Sequence, residues 1–167
     1  LQDAARKAGA LTVALVNVED SAAAHAADIC LSLQAGPELS VAATKSFIVS
    51  LVAGAAIVAH WLDRKDLLAA IEALPGQLAT TARIDWPEAV DLATGAESLY
   101  VVARGPSLPI ATETALKLKE TCAIHAEAYS IAEVMHGPLE LLGKGFPVLA
   151  YSPEDGARQS SHISLGK

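Results

Sequence analysis

The chain has 167 residues, 52% of them hydrophobic and only 4% aromatic, with a formal net charge of −7. That much apolar material excludes intrinsic disorder. The acidic balance excludes a surface that reads nucleic-acid backbone, which needs Lys and Arg in excess, but leaves room for a small anionic substrate held by a local pocket of N–H groups.

Residues 1–8 have the mixed polarity of the last turns of a helix, with Gly9 placed as its stop. Residues 11–18 are a near-continuous aliphatic run that fits a strand covered on both faces. A short helical turn at 22–28 and a second short strand at 29–33 follow. Beyond Gly36 and Pro37, residues 38–62 are expected to make one long helix with an apolar body, and residues 66–78 another, which Pro75 and Gly76 could break. The longest apolar run, 47–59, is interrupted by Ser50 and Gly54 and is too short for a bilayer, and no signal-peptide pattern opens the chain. These features predict a cytoplasmic protein with no membrane contact.

Trp86 and Pro87 mark a boundary, so residues 79–97 read as a connector holding a short helix over 87–94. The pattern then restarts with a strand at 98–105, a helix at 108–122 and an extended segment at 124–129. A helix at 130–136, stopped by Gly137 and Pro138, and a strand at 147–153 complete it. The stretch 156–167 has no strong periodicity; His162 reads as a tail residue and Lys167 has no assignable role. Strands alternating with helices at this spacing predict an α/β fold, αβα layers around a mainly parallel sheet. The expected division is 1–78, a connector at 79–97, and 98–167. The first unit opens on the end of a helix and the second on a strand, so the chain is either a fragment or has its first sheet completed by something else. Cys30 and Cys122 lack metal-ligand spacing and read as buried thiols in a reducing compartment.

Within the helix at 108–122, Glu113, Lys117 and Glu120 occupy i, i+4 and i+7, one stripe of the surface, while Ala115 and Leu116 are expected on the packed side. The plain alternative is a solvated face with an ordinary Glu-to-Lys pair. The preceding strand ends in Ala103-Arg104-Gly105-Pro106-Ser107, and in open α/β sheets ligands bind beyond the carboxyl ends of strands. Gly105 and Ser107 are therefore candidates to supply N–H groups and a hydroxyl to an anion or sugar. His125, Glu127, Glu133 and His136 form a second polar cluster. Its members lack a convincing third metal ligand, so no metal is expected, and no cofactor. His125 also reads as a hydrogen-bonded core residue. His136, beside a rigid Gly-Pro turn, is placed to project into a cleft.

Residues 112–140, TETALKLKETCAIHAEAYSIAEVMHGPLE, resemble the second sugar isomerase (SIS) domain of the glucosamine-6-phosphate synthase family and its relatives, the SIS-type aminosugar-phosphate isomerases and deaminases. Residues 35–47, AGPELSVAATKSF, resemble the end of the first SIS domain of the same proteins. The resemblance implies a three-layer αβα SIS-type sandwich with two SIS units, the first N-terminally incomplete. It implies that Glu120 moves a proton between C1 and C2 and that His136, reaching a neighbouring subunit's site, opens the sugar ring. Lys117 and Glu113 would line that site, and Val41, Ala43 and Thr44 the substrate pocket. The chain departs from the synthase at AGPE and at Ala43, where the synthase has serine, and these departures resemble stand-alone SIS enzymes. Neither a phosphate-holding Ser/Thr loop nor an ammonia-producing domain is recognisable in these residues.

A proton transfer from carbon needs a carboxylate in reach, and a nearby cation favours charge developing on oxygen, so the residues agree with that implication. The expected function is aldose–ketose isomerisation of a hexose or aminohexose 6-phosphate. Deamination of an aminosugar phosphate, a non-catalytic sugar-phosphate-binding module and a structural α/β fragment are the alternatives. The apolar body of residues 38–62, and independently the resemblance, predict a homodimer with shared active sites.

Overall fold

The computed structural model describes residues 1–153, so the expectations for His162 and Lys167 lie outside the described residues. The chain divides into two units, Leu1–Ile84 and Asp85–Lys167. The first contains α1 (Gln2–Lys7), β1 (Val13–Val16), α2 (Ala22–Ala26), β2 (Ile29–Ser32), α3 (Lys45–Trp61) and α4 (Lys65–Thr81). Strands β1 and β2 pair in parallel, with Val13 opposite Ile29 and Leu15 opposite Leu31. Helix α2 starts where the Ser21 hydroxyl accepts the Ala24 N–H at 3.3 Å, and both Ala24 and Ala14 are buried.

Four expectations for this unit need correction. The β1 run is covered on one face only: Val13, Leu15, Ile29 and Leu31, which alternate away from Ala14 and Cys30, are exposed. Among the described residues each of these strands has a single neighbour, so both are edges there, and Cys30 on β2 is exposed rather than buried. The long helix begins at Lys45, not at 38, because the Glu38 carboxylate accepts the Ser46 N–H and Oγ–H, both at 2.9 Å. A side chain that satisfies a first-turn donor stands outside the helix it caps. Finally, α4 runs through Pro75 and Gly76 to Thr81. Proline removes one bond, to the Ile71 carbonyl, and the Leu- and Ala-rich turns on either side retain enough propensity to continue. Residues 79–81 are therefore helical.

The second unit contains α5 (Pro87–Ala93), β3 (Ser98–Ala103), α6 (Leu108–Cys122), β4 (His125–Ser130), α7 (Ile131–Val134) and β5 (Val148–Ala150). Its sheet is parallel throughout, in the order β4-β3-β5. Period-two alternation sends Leu99, Val101 and Ala103 to one face, where Ala111 and Ala115 of α6 and Ala126 of β4 complete a core. The alanines let the helix backbone lie close to the sheet. Tyr100 and Val102 face the other way, against Ile131 and Val134 of α7. This unit is thus a helix–sheet–helix sandwich with β3 at its centre.

Three expectations fail here as well. Leu116 is 40% exposed, so only Ala115 of the pair packs inward. Cys122 closes α6 at an exposed position. The helix after β4 stops at Val134, because Gly137 (φ 156°) and Pro138 redirect the chain into a 3₁₀ turn at Pro138–Leu141.

Candidate active site

Lys117 lies between two carboxylates. Its Nζ donates to Glu120 Oε2 at 2.7 Å and lies 3.1 Å from Glu113 Oε1, with the three side chains only 20–28% exposed. The helical spacing creates this arrangement, since residues three and four apart share a face. The hydrogen bond to Glu120, followed by the interactions with Glu113, raises the Lys117 pKa above its ordinary value, so the ammonium is firmly charged near neutral pH. The cluster therefore offers two carboxylates bridged by one fixed cation, with Glu113 and Lys117 partly buried and Glu120, taken as a whole residue, exposed, an arrangement suited to moving a proton and balancing charge on a neighbouring oxygen.

Gly105 and Ser107 are not part of that cluster. They form a 3₁₀ turn at the carboxyl end of β3, with Gly105 at φ 58°, immediately before α6. Glu120 sits in the last turn of the same helix, twelve residues beyond its start and hence about 18 Å along the axis. His136 is separated from Glu120 in a different way. It comes two residues after α7, which packs on the sheet face opposite α6, and is exposed. Within this unit, therefore, α6, which carries Glu120, and α7, which leads to His136, pack on opposite faces of one sheet.

The second polar cluster is also divided. His125 is exposed, and its Nδ1 is 3.1 Å from Ser98 Oγ, so it is hydrogen-bonded but not a core residue. The Tyr129 hydroxyl donates to Glu127 Oε2, and this bond, with burial, pushes the phenol pKa up to about 12. Among the described residues no three His, Cys, Asp or Glu side chains stand close enough to hold a metal ion. A cavity of about 470 Å³ between α5, α6 and β5 is lined by Val90, Leu99, Leu118 and Leu149, with Thr114 and Cys122. It opens on a different side of α6 from Glu113, Lys117 and Glu120, and its apolar walls offer little to a phosphorylated sugar.

In the first unit Val41, Ala43 and Thr44 lie in the segment between β2 and α3, beyond the carboxyl ends of both strands. Val41 is 97% exposed, and Thr44, which directly precedes α3, makes no side-chain capping bond to it. Two residues not singled out in the sequence hold this segment. Asn17, just past β1, donates from Nδ2 to the Gly36 carbonyl (2.7 Å) and accepts the Ala35 N–H (2.9 Å). Glu38 binds Ser46, while Lys45 Nζ donates to the Pro37 carbonyl at 2.7 Å. The available signal was an Asn directly after a strand and an acid eight residues before a helical Ser.

Residues 94–164 match the family model described as SIS domain. The chain is 40% identical over 149 residues to the isomerizing glutamine–fructose-6-phosphate aminotransferase of Sulfurisphaera tokodaii, a match covering 86% of this chain and 25% of that protein. A Silicibacter pomeroyi DSS-3 structure assigned as a phosphosugar isomerase superposes with a TM-score of 0.92 at 45% identity, covering 98% of this chain and 50% of that one. The C-terminal domain of glucosamine-fructose-6-phosphate aminotransferase from Francisella tularensis superposes with a TM-score of 0.80 at 30% identity, covering 99% and 50%. The chain thus spans half of each solved relative and a quarter of the aminotransferase.

Proposed function

We propose that this chain, whose residues 94–164 match the SIS domain model, carries the proton-transfer site of an aldose–ketose isomerase acting on a hexose or aminohexose 6-phosphate. The observation that carries this reading is Lys117 held between Glu113 and Glu120. Binding alone needs no base, whereas isomerisation needs a carboxylate that takes a proton from one carbon and returns it to the next. Glu120 is assigned that transfer. Lys117 balances the charge that develops on the adjoining oxygen, and Glu113 holds Lys117 from its other side.

His136 is assigned to opening the closed ring by moving a proton at the ring oxygen. Because α6, which carries Glu120, and α7, which leads to His136, pack on opposite faces of one sheet, a shared site is read as taking His136 from a second copy, which favours a homodimer. The exposed Ile48, Leu51, Ile57, Val58 and Trp61 of α3 support association as well. Residues 1–78 are read as the later part of a first SIS domain, with Val41, Ala43 and Thr44 contributing to the substrate pocket. Gly105 and Ser107, four turns from Glu120, are read as an anion-facing turn distinct from the proton-transfer cluster.

Glu120→Gln tests the assignment. Substrate binding is expected to persist while exchange of the substrate's C1 or C2 proton with solvent slows by about a thousandfold. Equal exchange in variant and parent would refute it.

A further inference from the structure

The twelve residues between β2 and α3 form no helix or strand, yet they are tied down at both ends. On the β side, Gln34 and Gly36 adopt left-handed conformations (φ 52° and 72°), a local strain for the glutamine that needs outside support. Asn17 supplies it through one donated and one accepted bond, at Gly36 and Ala35. On the α side, Glu38 reaches across eight residues to the Ser46 N–H and hydroxyl. The Ser46 N–H first, and then the Ser46 hydroxyl and the Thr44 N–H, lower the Glu38 carboxyl pKa from its ordinary value, against the opposing effect of burial. Between the ties, Leu39 and Val41 project almost fully into solvent at 92% and 97% exposure.

We propose that Glu38 and Asn17 are positioning residues that brace residues 39–44, and that this brace sets how tightly the sugar phosphate binds. The inference rests on the reading above that Val41, Ala43 and Thr44 line the pocket. Glu38 itself is unsuited to touching the substrate, because an ionised carboxylate beside a phosphate repels it. Its charge is balanced internally by Ser46 and by the first turn of the seventeen-residue α3. A loop held in its binding shape loses less conformational entropy on binding than a free one. Removing the brace therefore acts on affinity and not on the proton transfer, which belongs to Glu120.

The test compares Glu38→Ala, Glu38→Gln and Asn17→Ala in the full-length protein, with fructose 6-phosphate as the probe. Glu38→Ala is expected to raise KM about tenfold with kcat within about twofold, whereas Glu38→Gln, which keeps an acceptor for Ser46, stays within about threefold of the parent. Asn17→Ala, which leaves the Glu38–Ser46 bonds in place, is expected to raise KM as well. It decides the matter if Glu38→Ala fails to fold. Amide exchange across 39–44 in the unliganded protein speeds up in both alanine variants. An unchanged KM, or a fall in kcat at constant KM that tracks lost folded protein, would overturn the proposal. In the parent protein the probe must slow exchange across 39–44. If it does not, the pocket reading and this inference fall together; if it does while KM is unmoved in the variants, only the brace falls.

Discussion

Strands β1 and β3 are both aliphatic runs in parallel sheets, but they end in different surroundings. Five of the six residues of β3 are buried, against Ala14 alone in β1. The difference lies in the neighbours. β3 has a strand on each side and a helix on each face, whereas among the described residues β1 has one strand and one small helix beside it. The two units are also held differently where their candidate functional residues sit. In the second, small alanines bring α6 down on the sheet and leave its charged stripe free to form a fixed cluster. In the first, an irregular segment is tied by side-chain hydrogen bonds from Asn17 and Glu38. On the proposed reading, the first arrangement serves the chemistry and the second the binding.

The largest expected effect tests that separation directly. Glu120→Gln in the second unit should slow carbon–proton exchange about a thousandfold, while Thr44→Val in the first raises KM about tenfold and leaves exchange of bound substrate nearly unchanged. Both are read from solvent-isotope incorporation under saturating and limiting substrate. Comparable exchange defects in the two variants would break the contrast. Next in size is Lys117→Met, which removes the cation between two carboxylates and is expected to lower kcat about a hundredfold. A loss confined to KM would instead mark Lys117 as a substrate clamp.

Packing gives a smaller effect. Val101→Ala, at a fully buried position of β3, is expected to cost about 2 kcal/mol in urea unfolding, and Val13→Ala, on the open face of β1, less than about 0.5 kcal/mol. Equal losses would mean that the β1 face is covered in the working protein.

The smallest effects come from pH, and the two units should differ in sign. In the first unit Asp28 and Glu38 are lowered by hydrogen bonds from Thr12 and Ser46, and Asp66 is lowered to about 2 by Arg64. A lowered carboxyl adds stability above its unfolded pKa, near 4, and loses it as pH falls through the folded value. In the second unit Tyr129 is raised from 10.0 to about 12, mainly by its bond to Glu127, and Lys117 is raised as well. A raised pKa adds stability that is complete below the unfolded value and lost as pH climbs through the folded one. Hydrogen exchange should therefore loosen the first unit below pH 4 and the second above pH 10. All these groups border solvent, so salt should blunt both trends. The same unit yielding first at both extremes would contradict the assignment.

Much of this architecture is legible in the chain. The helix at Leu108–Cys122 has the expected bounds, and its stripe of Glu113, Lys117 and Glu120 meets as helical spacing requires, since an i, i+4, i+7 relation depends on backbone geometry alone. The start of α3 was not legible, because an apolar run cannot reveal that Glu38 will spend its carboxylate on Ser46. Proline in α4 misled for the reverse reason: its local penalty is real, but the flanking residues outweigh it. Cys30 and Cys122 show how weakly residue type predicts burial when a strand lies at an edge or a helix ends at the surface.

The sequence by itself therefore determined the order of strands and helices, the α/β class and the charged stripe on α6, all of which follow from periods of two and 3.6 residues. Tertiary packing settled which aliphatic strand is enclosed and that α7, which leads to His136, lies across the sheet from the helix that carries Glu120. Those outcomes depend on which elements pack together over long separations, and no local pattern encodes the distance between residues that share neither a helix turn nor a strand.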